Sequence, residues 1–338
     1  MTHPDSSRRE FLTGAIAGPL AFTAMGRRVL GATRQEAAGI PTRPLGRAEA
    51  RVSILSLGGW HIGTVSDPAE AIRIMHAAID HGVTFFDNAW DYHDGGSEEI
   101  MGRALAQDGK RERVFLMTKN CERDYEGSMR NLDESLRRLR TDHLDLWQFH
   151  EMVYDNAPDW VFEQGGIRAA EEARRAGKVR YIGFTGHKDP RIHLKMLAKD
   201  FAWDTSQMPV NVMDAHYRSF QAEVIPVCLE QGVSVIGMKS LGGGFPRAMI
   251  PEGTPLTAQD CLRYALSQPI ASLVAGMVSM DDLEQAVAVA RDFRPLDEAE
   301  TAALLEKARP LAGDGRFERF KSTQAFDGPH HRRQHGFA

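Results

Sequence analysis

The sequence predicts a (β/α)₈ barrel whose floor is capped by a small N-terminal β-hairpin. Eight short apolar runs alternate with amphipathic segments between Val52 and Met277, and no Pro/Ser-rich linker interrupts them. Continuous apolar runs are typical of parallel strands covered on both faces, and eight of them separated by helices favour a barrel. A doubly wound sheet is the alternative, but Leu57–His61 stands where that fold would carry its G-x-G-x-x-G loop.

Each element has a local signal. The predicted strands are Val52–Leu57, Thr84–Asn88, Val114–Lys119, Leu144–His150, Val179–Phe184, Thr205–Val210, Val233–Lys239 and Ser272–Met277. The first helix is predicted to have Asp67 as its N-cap, Pro68 as its first residue and a stop at Gly82. Further helices are predicted over Met129–Arg140 and from near Ile167, Pro190, Ala222, Thr257 and Met280. Residues 43–46 and 50–52 are predicted to form the hairpin.

Composition narrows the classes of partner. The 338 residues include 41 Lys and Arg against 46 Asp and Glu, a net charge of −5. Without a basic surplus, nucleic acid is not expected as the main partner. Cys121, Cys228 and Cys261 are far apart and form no CxxC pair, so neither a disulfide framework nor a metal site built on cysteine thiolates is expected.

The N-terminus carries a targeting pattern. Ser7–Thr13 contains the pair Arg8-Arg9 and precedes a mildly apolar stretch, 14–25, too short to span a bilayer as a mature helix. This pattern resembles a bacterial twin-arginine (Tat) export signal, although a tail with a chance Arg-Arg pair is the alternative. We therefore predict a signal and linker over 1–38, with cleavage after Ala32 or near Ala37, and a Tat-exported, periplasmic or extracytoplasmic protein without a stable membrane span.

The rest of the chain divides into two parts. The barrel is predicted over 39–312, and residues 313–338 are predicted to be a C-terminal tail that is partly disordered. The tail includes the His- and Arg-rich run Pro329–His335. That run could bind a metal weakly, but a disordered basic end is the favoured interpretation.

Four chemically useful side chains follow successive predicted strands. Asp87 and Tyr92 follow the second strand, Lys119 ends the third, and His150 ends the fourth. Each residue alone has an ordinary structural explanation. In a (β/α)₈ barrel, however, the carboxyl ends of the strands open onto one mouth, where active sites lie. Their joint placement predicts an active site there.

Two longer motifs resemble the signatures of the aldo/keto reductase superfamily. Phe85–Tyr92 followed by Gly96–Leu105 resembles the first signature, and Asn131–Leu139 with Asp145 and His150 resembles the second. The similarity runs from about Pro44 to Ala290. It implies hydride transfer between a nicotinamide cofactor and a carbonyl, with a small-molecule carbonyl compound as the substrate partner.

The resemblance also implies roles for the four side chains. Tyr92 would be the general acid in reduction and the general base in oxidation. Lys119, held by Asp87, would lower the pKa of the Tyr92 phenol from its ordinary value near 10. Neutral His150 would bond and orient the substrate oxygen. No metal is expected, because Tyr92 and His150 would polarise the carbonyl.

The resemblance also implies a set of cofactor contacts, some of which depart from the residue types common in the family. They are Gly59, Trp60, Thr185, Gln207, Met238, Lys239, Leu241, Gly243, Gly276, Ser279 and Gln285. Gln207 would bind the nicotinamide carboxamide, Met238 stands where relatives often have a stacking aromatic ring, and the loop from Lys239 would approach the pyrophosphate. Gly186 departs from a common Ser-Asn pair.

The choice between NADP and NAD stays open at this point. NADP is the family default, but Asp282 aligns with an arginine that binds the 2′-phosphate in many relatives, so NAD is also considered. An iron–sulfur cluster of the kind some relatives carry is excluded, since no cysteine follows Cys261.

The favoured function is therefore an exported NAD(P)H-dependent reductase of an aldehyde, ketone or sugar-like carbonyl, with the Tat machinery as a partner. The alternatives are a non-enzymatic nicotinamide-nucleotide-binding partner subunit, similar to potassium-channel β subunits, and a sugar-binding barrel without redox chemistry. The sequence does not define the substrate, which depends on the loops around Trp60, Trp90, His93 and Tyr125.

Overall fold

The computed structural model describes residues 23–36, 39–45, 50–244 and 248–337. Within them, eight parallel strands close into a barrel in the order β10-β3-β4-β5-β6-β7-β8-β9. These strands are β3 (Leu55–Gly58), β4 (Phe85–Asp87), β5 (Phe115–Asn120), β6 (Leu144–Phe149), β7 (Val179–Thr185), β8 (Thr205–Pro209), β9 (Ser234–Met238) and β10 (Ser272–Ala275). The predicted (β/α)₈ fold is confirmed, with strand ends shifted by only a few residues.

The chain also forms helices, most of which surround the barrel. They are α1 (Ala24–Gly31), α2 (Gly59–Ile62), α3 (Pro68–Asp80), α4 (Gly96–Leu105), α5 (Tyr125–Leu139), α6 (Ala157–Glu163), α7 (Gly166–Arg175), α8 (Pro190–Leu197), α9 (Phe220–Glu223), α10 (Ile225–Gln231), α11 (Met249–Gly253), α12 (Ala258–Leu266), α13 (Met280–Arg291), α14 (Glu298–Ala312), α15 (Arg319–Ser322) and α16 (Pro329–Gln334). In the described part of the chain, no helix is long and apolar enough to cross a membrane.

The ends of α3 illustrate how local sequence defines these elements. The Asp67 carboxylate accepts a hydrogen bond from the Ala69 amide and Pro68 is the first helical residue, as predicted. The chain then leaves the helix through Gly82, whose φ of 90° is readily available to glycine. One face of α3, including Ile74, Met75 and Ile79, is buried against the barrel.

The floor of the barrel carries the predicted hairpin. Strands β1 (Thr42–Pro44) and β2 (Arg51–Ser53) pair antiparallel. The buried Arg43 guanidinium ties this hairpin to the barrel by donating to the carbonyl oxygens of Ile270, at 2.8 Å, and Leu266, at 3.0 Å. These bonds satisfy a cation that would be costly to bury alone.

Part of the predicted signal and linker also contacts the floor. The twin-arginine pair lies outside the described residues. Arg34, however, forms an isolated antiparallel bridge with Thr42, and the Arg51 guanidinium donates to the Ala32 carbonyl oxygen at 3.0 Å. Residues 32–36 therefore contact the hairpin, although all residues before 39 were predicted to lie outside the fold.

The C-terminal segment differs from its prediction. Residues 313–337, expected to be partly disordered, fold over the barrel mouth with Phe320, Lys321 and His331 fully buried. The Lys321 ammonium donates to the Asp214 carboxylate at 2.6 Å and to the Tyr217 carbonyl oxygen at 2.7 Å. This segment, called the C-terminal strap below, is ordered because the barrel loops supply partners for its charges.

Candidate active site

Three of the predicted catalytic side chains converge on one ammonium group. Lys119, at the end of β5, donates from Nζ to the Asp87 carboxylate at 2.8 Å, to the Asn88 carbonyl oxygen at 2.7 Å and to the Tyr92 hydroxyl oxygen at 3.2 Å. Asp87 ends the neighbouring strand β4, which explains the short distances. Because the Tyr92 oxygen accepts from Lys119, its own O–H proton can be donated to another group.

Tyr92 is held by a strained turn that leads into α4. A 3₁₀ turn covers Tyr92–Gly95, with φ values of 53° at His93, 55° at Asp94 and 89° at Gly95. The φ of Gly95 favours glycine at this position, and a Cβ atom there would also lie 2.4 Å from Cζ of Arg138. The Arg138 guanidinium in turn donates to the Trp90 carbonyl oxygen at 2.9 Å. These contacts fix the loop that presents the phenol.

The protonation state of Tyr92 differs from the prediction. Burial raises the pKa of the Tyr92 phenol well above its ordinary value, and the negative charges of Asp87 and Asp91 add to this rise. Lys119 does not lower the pKa overall because its charge is already paired with Asp87. The prediction that Lys119 makes this phenol unusually acidic is therefore wrong for this structure. The Tyr92 phenol is therefore neutral near pH 7.

His150 lies on the other side of the phenol. The centroids of the His150 and Tyr92 rings are 5.5 Å apart. The Nδ1 atom of His150 lies 3.1 Å from an Asp91 carboxylate oxygen and 3.5 Å from the Cys121 sulfur. Burial lowers the pKa of His150 below its ordinary value despite the nearby carboxylate, so the imidazole is neutral at pH 7.

Gln207 joins the same group from β8. Its Nε2 amide donates to the second Asp87 carboxylate oxygen at 3.0 Å, while its Oε1 oxygen is buried without a hydrogen-bond partner. Thr185 is buried opposite Gln207 in the ladder between β7 and β8. At Gly186 a Cβ atom would lie 2.4 Å from the Met152 carbonyl oxygen, which explains why this position departs from the Ser-Asn pair.

The loop after β9 contacts the C-terminal strap. Met238 and Lys239 are half-buried, and the Lys239 ammonium lies 5.4 Å from the centroid of the Phe320 ring. A Cβ atom at Gly243 would lie 3.6 Å from Phe326 and 3.7 Å from Phe320. Leu241 is half-buried and also packs against the core. The glycine-rich loop predicted to approach a pyrophosphate is thus covered by rings of the strap.

The remaining predicted cofactor residues lie around the mouth near β3 and β10. Trp60 is 38% exposed, and Gly59 is so close to the Asp87 carbonyl oxygen that a Cβ atom would lie 2.4 Å from it. Gly276 approaches the His61 ring equally closely, with 2.4 Å to its Cγ atom. His61 was not singled out by the sequence analysis.

The start of α13 is occupied by capping bonds. The Ser279 hydroxyl accepts from the Asp282 amide at 3.1 Å, and the Asp282 carboxylate accepts from the Val278 amide at 3.0 Å. Gln285 is exposed on the same helix. Ser279 therefore has a structural role as an N-cap, and Asp282 places a negative charge at this helix terminus.

Comparisons with known proteins agree with this geometry. The sequence model described as the aldo/keto reductase family matches residues 54–260. The chain belongs to the aldo/keto reductase family. It is 34% identical over 224 residues to the uncharacterized oxidoreductase YrpG of Bacillus subtilis, an alignment covering 60% of this chain and 66% of that protein. It is 25% identical over 319 residues to L-galactose dehydrogenase of Arabidopsis thaliana, covering 80% and 96%.

Another relative is the 6-dehydroglucose reductase of Novosphingobium aromaticivorans, 31% identical over 166 residues. That alignment covers 44% of this aldo/keto reductase and 53% of the relative, so the match spans about half of its length. Solved structures agree with the fold. An aldo-keto reductase from Bacillus halodurans in its holo form superposes with a TM-score of 0.66 at 24% identity, covering 82% of this chain and 99% of that one.

An aldo/keto reductase from Klebsiella pneumoniae, solved in complex with NADP and acetate, also superposes with a TM-score of 0.66. It is 25% identical and the alignment covers 79% of this chain and 95% of that one. The expected family and barrel are therefore confirmed by both sequence and structure.

Several residues beside the site were missed by sequence reasoning. Asp91 and Cys121 lie against His150, while Glu151 and His331 connect the mouth to the C-terminal strap. The positions of Asp91, Cys121 and Glu151, in loops after three strands, are a signal that could have found them. The position of His331 depends on how the strap folds, which no local pattern reveals.

Proposed function

We propose that this aldo/keto reductase transfers hydride reversibly between NAD(P)H and an aldehyde, ketone or sugar-like carbonyl, with Tyr92 as the proton donor. The observation that carries the proposal is the single ammonium group of Lys119 bonded to both Asp87 and Tyr92. These three residues, at the ends of the two neighbouring strands β4 and β5, would have no evident purpose in a barrel that only binds sugar. Because Asp87, Tyr92, Lys119 and His150 are all present, an enzyme is favoured over a non-enzymatic partner subunit.

Tyr92 supplies the proton in reduction. Its neutral phenol donates to the carbonyl oxygen as negative charge develops there, and Lys119, 3.2 Å from the phenol oxygen, stabilises the phenolate that remains. In the oxidative direction the phenolate takes the hydroxyl proton. The raised pKa of Tyr92 keeps the phenol protonated near neutral pH, which is the form that reduction uses.

His150 orients the substrate oxygen. Every polar contact of its ring among the described residues involves Nδ1, so Nε2 is the nitrogen available to the substrate. The proton of the neutral imidazole can lie on either nitrogen: on Nε2 it donates a hydrogen bond to the carbonyl oxygen without adding a charge, and on Nδ1 it donates to the Asp91 carboxylate. Asp91 and Cys121 hold the ring in this orientation.

The described residues fit a nicotinamide cofactor, which would supply the hydride. The buried, unpartnered Oε1 of Gln207 matches the amide N–H donors of a nicotinamide carboxamide, because Nε2 of the same side chain is already committed to Asp87. Thr185 would assist Gln207, and Lys239 with the glycines after it would face the pyrophosphate. The rings of the C-terminal strap that cover Gly243 would need to shift for this.

NADP is the proposed cofactor, with NAD as the second candidate. The Klebsiella pneumoniae relative was solved with NADP, which supports the family default. Asp282 bonds the Val278 amide at the start of α13 and would repel a 2′-phosphate placed there, which favours NAD. Comparing the Kd values of NADPH and NADH distinguishes the two, and an Asp282→Asn variant should improve NADPH binding selectively.

The proposed substrate class is sugar-like. Two relatives are named L-galactose dehydrogenase and 6-dehydroglucose reductase, and each name describes a sugar or sugar-derived compound. A panel of aldoses, keto-sugars and simple aldehydes tests this proposal with either cofactor. Turnover limited to simple aldehydes would contradict it.

The decisive test of the reaction is Tyr92→Phe. This variant should retain NADPH binding within about twofold, because the ring stays in place, and should lose about 10²-fold or more of its turnover, because the acid is gone. Tyr181→Phe, which removes a phenol hydroxyl from β7 outside the proposed catalytic group, is the matched control. Full activity in Tyr92→Phe would refute the assigned role.

Export by the Tat route is proposed separately, from the Arg8-Arg9 pair and the apolar stretch after it. A double Arg8→Lys, Arg9→Lys variant should accumulate in the cytoplasm of a host with an active Tat system, while the parent chain reaches the periplasm. Equal distribution of the two chains would contradict export by this route.

A further inference from the structure

A compact set of metal-ligating side chains lies next to the proposed catalytic group. One ligand atom from each of Asp91, Cys121, His150 and His331 lies within 4.8 Å of the other three. Three of these residues follow the successive strands β4, β5 and β6, and the fourth is brought by α16 of the C-terminal strap. Cys121, His150 and His331 are buried.

The distances approach those of a tetrahedral site. His150 Nδ1 lies 3.1 Å from Asp91 Oδ1 and 3.5 Å from Cys121 Sγ, and His331 Nε2 lies 4.0 Å from Asp91 Oδ2. With Zn–N near 2.05 Å and Zn–S near 2.3 Å, the edges of a zinc tetrahedron are roughly 3.3–3.6 Å. Two edges are therefore already close to this length, and none needs to shorten by more than about 1.3 Å.

The hydrogen bonds around His331 leave one ring nitrogen facing the cluster. The Gln334 amide nitrogen donates to the Cys121 carbonyl oxygen at 2.9 Å and to Glu122 at 2.7 Å, so its oxygen is the atom 3.3 Å from His331 Nδ1. An amide oxygen accepts, which favours the His331 proton on Nδ1. The Arg123 guanidinium, however, lies 3.4 Å from the same Nδ1 and can only donate, so the His331 proton is not fixed to Nδ1. In either tautomer Nδ1 is engaged by these two neighbours, and Nε2 is the ring nitrogen that faces the cluster, as in a histidine that binds a metal through Nε2.

His331 Nε2 is buried without a hydrogen-bond partner. Asp91 Oδ1 makes no hydrogen bond of good geometry either, although His150 Nδ1 lies 3.1 Å from it. When Nδ1 carries the His331 proton, Nε2 presents a lone pair toward the Asp91 carboxylate, 4.0 Å from Oδ2. A cation between these acceptors would satisfy both.

The charge of the cluster suits a divalent ion. A Cys121 thiolate and an Asp91 carboxylate with two neutral imidazoles carry two negative charges, which Zn²⁺ would cancel. The neighbouring Arg123 guanidinium donates to the His150 carbonyl oxygen at 2.6 Å and lies 3.4 Å from His331 Nδ1, on the side away from the metal-facing nitrogen. Sulfur, nitrogen and oxygen ligands at tetrahedral spacing match zinc better than calcium or magnesium.

We propose that Asp91, Cys121, His150 and His331 form a tetrahedral Zn²⁺ site that fastens the C-terminal strap to the barrel mouth. Binding releases the Cys121 thiol proton to solvent, and the four protein ligands complete the coordination. Ligation of His150 through Nδ1 keeps its remaining proton on Nε2, the tautomer that can donate to a carbonyl oxygen. The site does not depend on the proposed reductase activity.

No catalytic metal was expected from the sequence, because Tyr92 and His150 would polarise the carbonyl, and the proposed zinc site is structural. A site built on several cysteine thiolates was also not expected, and here only one cysteine contributes. The His-rich run was expected to bind a metal weakly at most, with a disordered basic end favoured. Folding the strap over the mouth is what brings His331 to the other three residues.

The test measures metal content of the full chain. Wild-type protein and variants are equilibrated with Zn²⁺, dialysed against metal-free buffer and analysed by mass spectrometry for bound zinc. We expect about one zinc per wild-type chain and a loss of most of it in His331→Ala and in Cys121→Ser. His330→Ala is the matched control, because its Nε2 pairs with Glu122 at 3.2 Å outside the cluster and zinc should be retained.

Cobalt substitution provides an independent spectroscopic readout. Co²⁺ in the wild-type site should show the visible absorption of tetrahedral cobalt together with a thiolate charge-transfer band. The charge-transfer band should disappear in Cys121→Ser, and circular dichroism checks that each variant is folded. A wild-type chain that retains no zinc, or equal zinc in wild type and His331→Ala, would overturn the proposal.

Discussion

The ion pair between Lys119 and Asp87 is buried, with side chains 1% and 3% exposed, and its energetics can be tested by a double-mutant cycle. In Lys119→Met the buried Asp87 carboxylate keeps its hydrogen bond from the Gln207 amide but loses its counter-ion. This loss should lower the unfolding free energy by about 3–5 kcal/mol. Asp87→Leu leaves the ammonium without its counter-ion and should cost a similar amount. Added independently, the two changes would cost about 6–10 kcal/mol.

The double variant should be much less destabilised than that sum. Two apolar side chains of similar volume remove both charges, which leaves mainly the Asn88 carbonyl oxygen and the Gln207 amide without partners. Each unpartnered group costs about 1–3 kcal/mol, so the double variant should lose about 2–6 kcal/mol. The expected coupling energy is therefore about 4 kcal/mol.

Urea unfolding at 25 °C, followed by far-ultraviolet circular dichroism, measures all four proteins. The exposed pair Lys178–Asp133, with a 2.7 Å contact and side chains 38% and 61% exposed, is the matched control. Its coupling should be below about 1 kcal/mol because solvent screens the charges. If the losses of unfolding free energy in the two single variants add up to the loss in the double variant within about 0.5 kcal/mol, then the two charges do not stabilise each other and the reasoning is refuted.

Three further outcomes follow from the structure. Gln207→Leu should weaken NADPH binding about tenfold in a fluorescence titration, through loss of one carboxamide hydrogen bond, and an unchanged Kd would contradict that contact. Burial raises the pKa of Glu151 to about 8, so its contribution to stability is complete below the unfolded value of 4.5 and is lost as pH rises to about 8. In Glu151→Gln this decline of the unfolding free energy should be absent between pH 5 and 8, and parallel curves for the two proteins would contradict it. Lys321→Met should leave Asp214 and Glu318 buried without their cation, and hydrogen exchange across 313–337 should therefore become faster. Lys307→Met, at an exposed lysine, is the control and should leave this exchange unchanged. Equal exchange rates in the two variants would contradict the anchoring role of Lys321.

Much of the barrel could be predicted because its signals are local. Apolar runs define strands that are buried on both faces, and capping residues such as Asp67 define helix starts. The order of the strands around a barrel then follows the order of the chain. Placing Asp87 and Lys119 at adjacent strand ends required only this topology.

The protonation state of Tyr92 could not be predicted in the same way. The sequence places a lysine near the phenol, but it does not show that the lysine is already neutralised by Asp87 or that Asp91 adds a second negative charge. A pKa depends on the sum of burial and all neighbouring charges. The sign of that sum becomes clear only when every neighbour is located.

The folded C-terminal strap could not be predicted from its amino-acid composition. Its polar and basic residues indicate a solvated tail when considered alone, since a segment rich in charges cannot bury enough apolar surface to offset its ordering entropy. Each charge that the strap buries, however, meets a partner from the barrel. Lys321 meets Asp214 at 2.6 Å, Asp327 meets Lys188 at 2.7 Å, and the Gly328 amide meets Glu151 at 2.7 Å.

These partners lie more than 100 positions away in the chain, so the order of the strap is a tertiary property. The strap also buries Phe320, but ion pairs and hydrogen bonds respond to pH and salt more strongly than apolar packing does. Glu151 and Asp91 both lie where the strap meets the mouth, and both are adjacent in sequence to proposed catalytic residues. Protonation or cation binding at this junction would therefore alter the position of the strap and the environment of Tyr92 and His150 together.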